Sequence, residues 1–250
     1  MIEIEEVKNN SDLKKFVKFP FKLYKNSKYW VPPIISEEMN IFNSDINPTL
    51  KNADISLYIA IIDNEIVGRI AAIINSIEVN EQKIKKIRFG WFDTIDDLNV
   101  TKKLIDKVIE IGKANNLEYM EGPMGFSNLD KVGVLTHGFD KIGTMISWYN
   151  HPYYSSHFTK LNFTVEKQYL EKTFSFKNID IDYYFRMSKI IQRRYGFKAV
   201  NFNKTEDVLN NVNEMFDLFN KSYSKLSSFV EINDVEKEYV KNKIFCKPEP

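Results

Sequence analysis

Residues 148–163 read WYNHPYYSSHFTKLNF and hold two of the chain's three histidines together with Tyr149, Tyr153 and Tyr154. Histidine and tyrosine give and take protons, and His151 has the side chain whose ordinary pKa lies closest to neutrality. Glu121, just ahead of Gly122 and Pro123, stands at the end of an expected strand, where α/β sheets open onto clefts, and is a second candidate base. Each has a plainer role open to it: a hydrogen-bonded turn for His151, a backbone-bound carboxylate for Glu121.

Other chemistries lack their residues. His151 and His157 are six apart and do not share a helix face, so no metal site is expected. Cys246 is the single cysteine, which excludes an internal disulfide framework and a thiolate zinc site. The glycines of GPMGFSNLD (122–130) follow a strand but form neither a P-loop nor a dinucleotide fingerprint, and Ser127 lacks a nucleophile elbow. With 35 Lys and Arg against 34 Asp and Glu, the net charge of +1 gives no general case for nucleic acid. No apolar run is long enough to span a membrane, and the opening MIEIEEVKNN is acidic where a secretory signal is basic and then apolar. The expectation is a cytoplasmic protein with a small-molecule partner, and no membrane or nucleic-acid partner.

The elements that would position these residues follow from periodicity. MIEIEEV alternates as a strand, and a helix capped at Ser11 or Asp12 follows, which Pro20 should interrupt or kink. SLYIAIID and EIVGRIAAIIN read as a hairpin closed by Asp63 and Asn64. KKIRFGWFDTI is aromatic on both faces, as a central strand should be. Residues 99–116 carry Leu104, Ile105, Val108, Ile109 and Ile111 as one helical stripe, and LEYMEGP is then a strand in a parallel crossover. Residues 122–143 hold five of the nine glycines, so an irregular segment is expected there. Further on, TMISWY and EKQYLEKTFSF read as strands and PYYSSHFTKLNF as a short helix. A weak internal repeat pairs residues 7–30 with 201–226 and suggests that a second unit begins near 185 with a strand, its sheet lying beyond Pro250.

This order of elements over residues 1–175, with the stretches KNSKYWVPP, EIVGRIAAIIN, GPMGFSNLDKVGVLTHGFD and YNHPYYSSHFTKLNF, resembles the GNAT acyltransferase superfamily, in particular a tandem GNAT-like group. The resemblance implies an α/β (α+β) fold: a mixed, largely antiparallel twisted sheet flanked by helices over residues 1–176, plus a partial second domain over 185–250. It implies an N-acyltransferase that moves an acetyl or other acyl group from acyl-CoA to an amine. The alternative is a catalytically degenerate domain that binds a ligand or a partner. Pantetheine would lie along Phe92, Asp93 and Thr94, and the pyrophosphate at Asn99, Thr101 and Lys102. DDLNVT (96–101) departs from the superfamily there: Asp96 stands at the arginine position, and Asn99 and Thr101 at glycine positions. With Asp93 and Asp97, Asp96 would put three carboxylates where a polyanion rests. The superfamily's acidic tyrosine falls on Phe158, so Tyr154, one turn earlier, is the candidate proton donor, with His151 and Glu121 as candidate bases. Tyr154→Phe is accordingly expected to slow turnover and leave folding nearly intact.

Overall fold

A computed structural model describes residues 1–127, 130–144, 147–226 and 228–245. Five strands form one sheet in chain order: β1 (Glu3–Glu6), β2 (Ala53–Ile62), β3 (Glu65–Asn75), β4 (Lys86–Thr94) and β5 (Tyr119–Glu121). The first four are antiparallel neighbours and β5 runs parallel to β4. Asp63 and Asn64, both at positive φ, make the tight turn between β2 and β3. All nine residues of β4 are buried, as its two-sided aromatic pattern requires.

Helices cover both faces. α3 (Leu98–Ala114) lays Val100, Leu104, Ile105 and Val108 on Ile70, Ala72, Ile87 and Phe89, and the opposite sheet face packs on α1 (Asn10–Leu23) and α2 (Ile35–Ile41). The mixed α/β fold implied by the resemblance is the one observed. α4 (Tyr153–Lys160) joins the α3 face. Three further helices follow: α5 (Ile181–Tyr195), α6 (Thr205–Tyr223) and α7 (Asp234–Phe245).

Pro20 neither ends nor interrupts α1, which runs through it to Leu23. Proline has no N–H to return to the carbonyl four residues back. That carbonyl, of Phe16, accepts a hydrogen bond from Arg69 Nη1 at 3.0 Å. The cap is Asn9, whose side chain accepts from Asp12 N, and not Ser11 or Asp12. The expected strand over 166–176 does not form: these residues are exposed and irregular until a short 3-10 turn at Phe176–Asn178. A strand needs a neighbour for its backbone groups, and among the described residues this one has none. Nor does a strand form among the described residues after 185. Of TMISWY, Met145 and Ile146 lie outside the described residues, and Ser147 makes one isolated bridge to Val132.

Candidate functional site

The site is built on a β-bulge in β4. Arg69 of β3 faces Asp93 and Ala71 faces Gly90, so Trp91 and Phe92 together stand opposite one residue of β3. Trp91 takes φ +44 and packs on the α1–α2 face, while Phe92 packs on the α3–α4 face. On the other side of β4, β5 pairs only with Lys86–Arg88, and Met124 N then donates to Phe89 O. The two chains touch at glycines: a Cβ on Gly90 would stand 2.2 Å from Met124 O, and one on Gly122 2.4 Å from Phe89 O. Past this point no strand among the described residues lies on the β5 side of β4. Thr94 N donates to the hydroxyl of Tyr154, at 2.9 Å, where a strand carbonyl would otherwise accept.

Tyr154 is 1% exposed, and its hydroxyl ends a buried chain of polar groups. It lies 3.0 Å from the hydroxyl of Tyr24, which donates to Asp93 Oδ1 at 2.7 Å. Arg69 clamps the other Asp93 oxygen through Nε and Nη2, each at 2.8 Å. Burial, and next the Asp93 charge, hold the Tyr24 and Tyr154 hydroxyls well above the usual tyrosine pKa, so both stay protonated at neutral pH. Tyr153 donates to Thr94 O at 2.6 Å, and burial followed by the nearby Asp96 and Asp93 raises its pKa too.

His151 is half-buried beside this chain. Its ring lies 5.0 Å from that of Tyr24 and stacks on Tyr153 at 5.4 Å, and Nε2 faces Leu23 O at 3.4 Å. A carbonyl partner requires the hydrogen on Nε2, which leaves the lone pair on Nδ1. Tyr154, His151 and the Asp93–Thr94 backbone therefore come together. Phe158 occupies the same wedge, packed on Phe89, Phe92 and Phe163.

Glu121 does not join them. It sits opposite Arg88, about 17 Å back along β4 from Asp93 at ~3.3 Å per residue. There it belongs to a second buried cluster. A π-helical turn (Ile77–Glu81) drops Glu78 into the interior, where it accepts from Arg88 Nη2 and Nε, at 2.6 and 2.8 Å, and pairs with Lys86 at 2.8 Å. Lys86 also pairs with Glu121 at 2.8 Å, and Ser228 bridges Lys86 and Glu121. Burial works to raise the Glu121 pKa, but its bonds to Lys86 and Ser228 and the nearby Lys167 charge outweigh burial, so the net shift is downward. Glu121 is a fixed anion in a structural cluster.

The expected pyrophosphate loop is arranged differently from its reading in sequence. Asp93 points into the core toward Arg69 and adds no charge to the loop. Asp97 is the N-cap of α3, its side chain accepting from Asn99 N at 2.8 Å. Asp96 is exposed and contacts His157 Nε2 at 3.2 Å, while His157 Nδ1 bonds the buried Thr101 hydroxyl at 2.8 Å. Lys102 pairs with Asp106 one turn on, not with the loop aspartates. The first-turn donor at Asn99 and the Thr101 side chain are thus engaged within the protein. Among the described residues no group of three or more His, Cys, Asp or Glu is arranged for a metal ion.

Sequence reading missed Tyr24 and Arg69. A lone arginine inside the apolar run EIVGRIAAIIN is the legible signal, since a buried cation requires a carboxylate.

No family model matches the chain. Among curated proteins it is 29% identical over 155 residues to Protein YghO of Escherichia coli, covering 62% of this chain and 40% of that one. It is 27% identical over 141 residues to a bacterial ceramide synthase of Caulobacter vibrioides, covering 56% of this chain and 36% of that one. The chain therefore spans about two fifths of the length of the relatives it matches. Similar solved structures include an aminoglycoside acetyltransferase from an uncultured soil sample in complex with sisomicin (TM-score 0.41, 14% identity, 70% of this chain and 97% of that one). A predicted acetyltransferase of Clostridium acetobutylicum, solved with acetyl-CoA, matches at TM-score 0.41 and 14% identity, over 69% of this chain and 96% of that one. A GNAT-family acetyltransferase of Staphylococcus aureus matches at 0.36 and 22%, over 50% and 75%.

Proposed function

We propose that this chain carries the acyl-donor half of a GNAT-type N-acyltransferase, which transfers an acyl group from acyl-CoA to an amine. The observation that carries the reading is the bulged end of β4. There Thr94 N–H, the Tyr154 hydroxyl and the imidazole of His151 converge where β5 has left the sheet. A relative named for ceramide synthesis supports the same class, because a ceramide is an amide formed on an amine.

The Thr94 N–H fits the carbonyl of a thioester, and Phe92 offers an apolar wall beside it. The phosphates of CoA find no such fit at α3, where Asp97 caps the helix and Asp96 is exposed. In the reaction the amine nitrogen attacks the thioester carbonyl carbon and the C–S bond breaks. His151 Nδ1 takes the proton that the amine loses. Tyr154 gives its proton to the departing sulfur, and the proton gained by His151 replaces it by way of the Tyr24 hydroxyl, so that all three groups end as they began. The Tyr154 hydroxyl must first turn off Thr94 N–H to free that donor for the carbonyl.

That same hydrogen bond favours a second reading, a degenerate domain whose acyl slot is filled by its own tyrosine. Thermal shift against a series of acyl-CoAs, followed by thiol release with an amine panel, separates the two. Stabilisation by mass action and amine-dependent thiol release support the transferase. Neither effect with any donor leaves the degenerate domain.

A further inference from the structure

α4 is a short helix that its own ends do not hold. It has eight residues, and Pro152 at its start makes no side-chain cap. A helix this short is marginal in water and takes its stability from tertiary contacts. Phe158 packs it on Phe89 and Phe92, but apolar packing is not directional. Direction comes from the side chains of α4 that hydrogen-bond to other elements among the described residues: Tyr153, Tyr154 and His157.

In the proposed reaction the Tyr154 hydroxyl leaves Thr94 N–H before a carbonyl takes its place. The directional holds left to α4 are then Tyr153, one residue earlier, and His157, three residues later. Tyr153 bonds the carbonyl of that same Thr94, so alone it leaves α4 free to pivot about one point. His157 supplies the second point, about 4.5 Å along the axis from Tyr154 at 1.5 Å per residue. It is buried, and so is Thr101 of α3, whose hydroxyl lies 2.8 Å from His157 Nδ1. His157 Nε2 lies 3.2 Å from Asp96, in the loop between β4 and α3. A carboxylate only accepts, so Asp96 requires the hydrogen on Nε2, and in the neutral ring Nδ1 then accepts from Thr101. One ring thus ties α4 both to α3 and to the loop that leaves β4. The exposed Asp96 adds little stability to this contact, and what it fixes is the tautomer. That gives a purpose to a carboxylate standing where the resemblance places an arginine.

We propose that His157 is a positioning residue of the site: oriented by Asp96 and bonded to Thr101, it anchors α4 and so sets the Tyr154 hydroxyl against the end of β4. Its part in catalysis rests on the transferase reading, whereas the anchoring of α4 does not. It acts through Tyr154 and exchanges no proton with substrate.

Three variants divide its two bonds. His157→Phe fills the space and loses both, His157→Asn keeps an acceptor near the place of Nδ1, and His157→Gln keeps a donor near the place of Nε2. Hydrogen exchange of the Thr94 amide, followed by NMR, reads the anchoring without any substrate. His157→Phe should speed that exchange about tenfold, while the amides of β2 and β3 keep their protection. In thiol release with acyl-CoA and an amine panel it should lower kcat about 10²-fold, as a misplacement of roughly 1 Å does, and leave KM for acyl-CoA nearly unchanged. His157→Asn should recover more of both effects than His157→Gln, because the buried Thr101 bond does the anchoring. Unchanged Thr94 exchange in His157→Phe overturns the proposal, whether or not the protein is active. So does an equal loss of protection at Thr94, β2 and β3 in all three variants, which would make His157 a residue of general stability. Faster Thr94 exchange with the parent's kcat overturns the part in catalysis. Faster exchange with no thiol release even in the parent supports the anchor and removes the transferase reading instead.

Discussion

Removing one oxygen at Tyr154 tests the site and its packing together. Sequence reading treated Tyr154→Phe as nearly silent for folding, but the structure predicts a cost. Phenylalanine leaves Thr94 N–H buried with no acceptor and takes a partner from the Tyr24 hydroxyl. An orphaned buried donor costs about 1–3 kcal/mol, which lowers Tm by roughly 3–10 °C in a chain of this size. Tyr24→Phe removes the hydroxyl that donates to Asp93 at 2.7 Å, a bond to a charged group worth about 1.5–3 kcal/mol. The two hydroxyls are 3.0 Å apart, so the double variant should depart from additivity by about 0.5–3 kcal/mol. Urea unfolding of the four proteins measures that coupling. Thiol release, assayed well below every midpoint, should fall about 10²- to 10⁴-fold in Tyr154→Phe if the hydroxyl is the proton donor. Phe158→Tyr should not restore it, because a hydroxyl there enters the aromatic packing of Phe89, Phe92 and Phe163. An unchanged Tm together with additive effects would refute the hydrogen-bonded chain. A lower Tm with undiminished thiol release would make Tyr154 a structural residue alone.

Asp96→Arg with Asn99→Gly leaves the Asp97 cap in place and should tighten acyl-CoA binding by calorimetry; unchanged affinity would locate the phosphates away from α3. Glu78→Gln withdraws the charge shared by Arg88 and Lys86 and should cost about 3–5 kcal/mol in urea unfolding, as breaking a buried ion pair does. Tyr24, Tyr153 and Tyr154 have pKa values raised above the value of 10.0 ordinary for tyrosine, so their contribution to stability is complete below that pH and is lost as pH rises through the folded values. Alkaline titration should therefore show tyrosinate absorbance for this group rising together with unfolding, and a gradual rise in the native state would contradict their burial.

The strands and the main helix were legible because their periods are long and unbroken. The hairpin of β2 and β3 buries both faces and the stripe of α3 buries one, so local pattern and tertiary packing agree. The strand expected at 166–176 had the pattern without the neighbour, and pairing is not a local property. Tyr154 was named through the resemblance and His151 from its residue type, and the structure brings both to the end of β4. Asp93 was named too, but its direction was misjudged, because a bulge of one residue decides which face each later side chain takes.

Pro20 shows how far such an error reaches. As a local signal it argues for a broken helix. In the folded chain its missing N–H leaves Phe16 O for Arg69 Nη1, while Arg69 Nε and Nη2 hold Asp93. Asp93 then holds Tyr24, whose hydroxyl meets that of Tyr154. A residue that weakens α1 by one backbone bond thus fixes the side chain on which the candidate proton donor depends. The helix tolerates the loss because the orphaned carbonyl is bonded by a cation that itself needs buried partners. Neither need can be read from its own stretch of sequence; each is met only when α1 lies across β3.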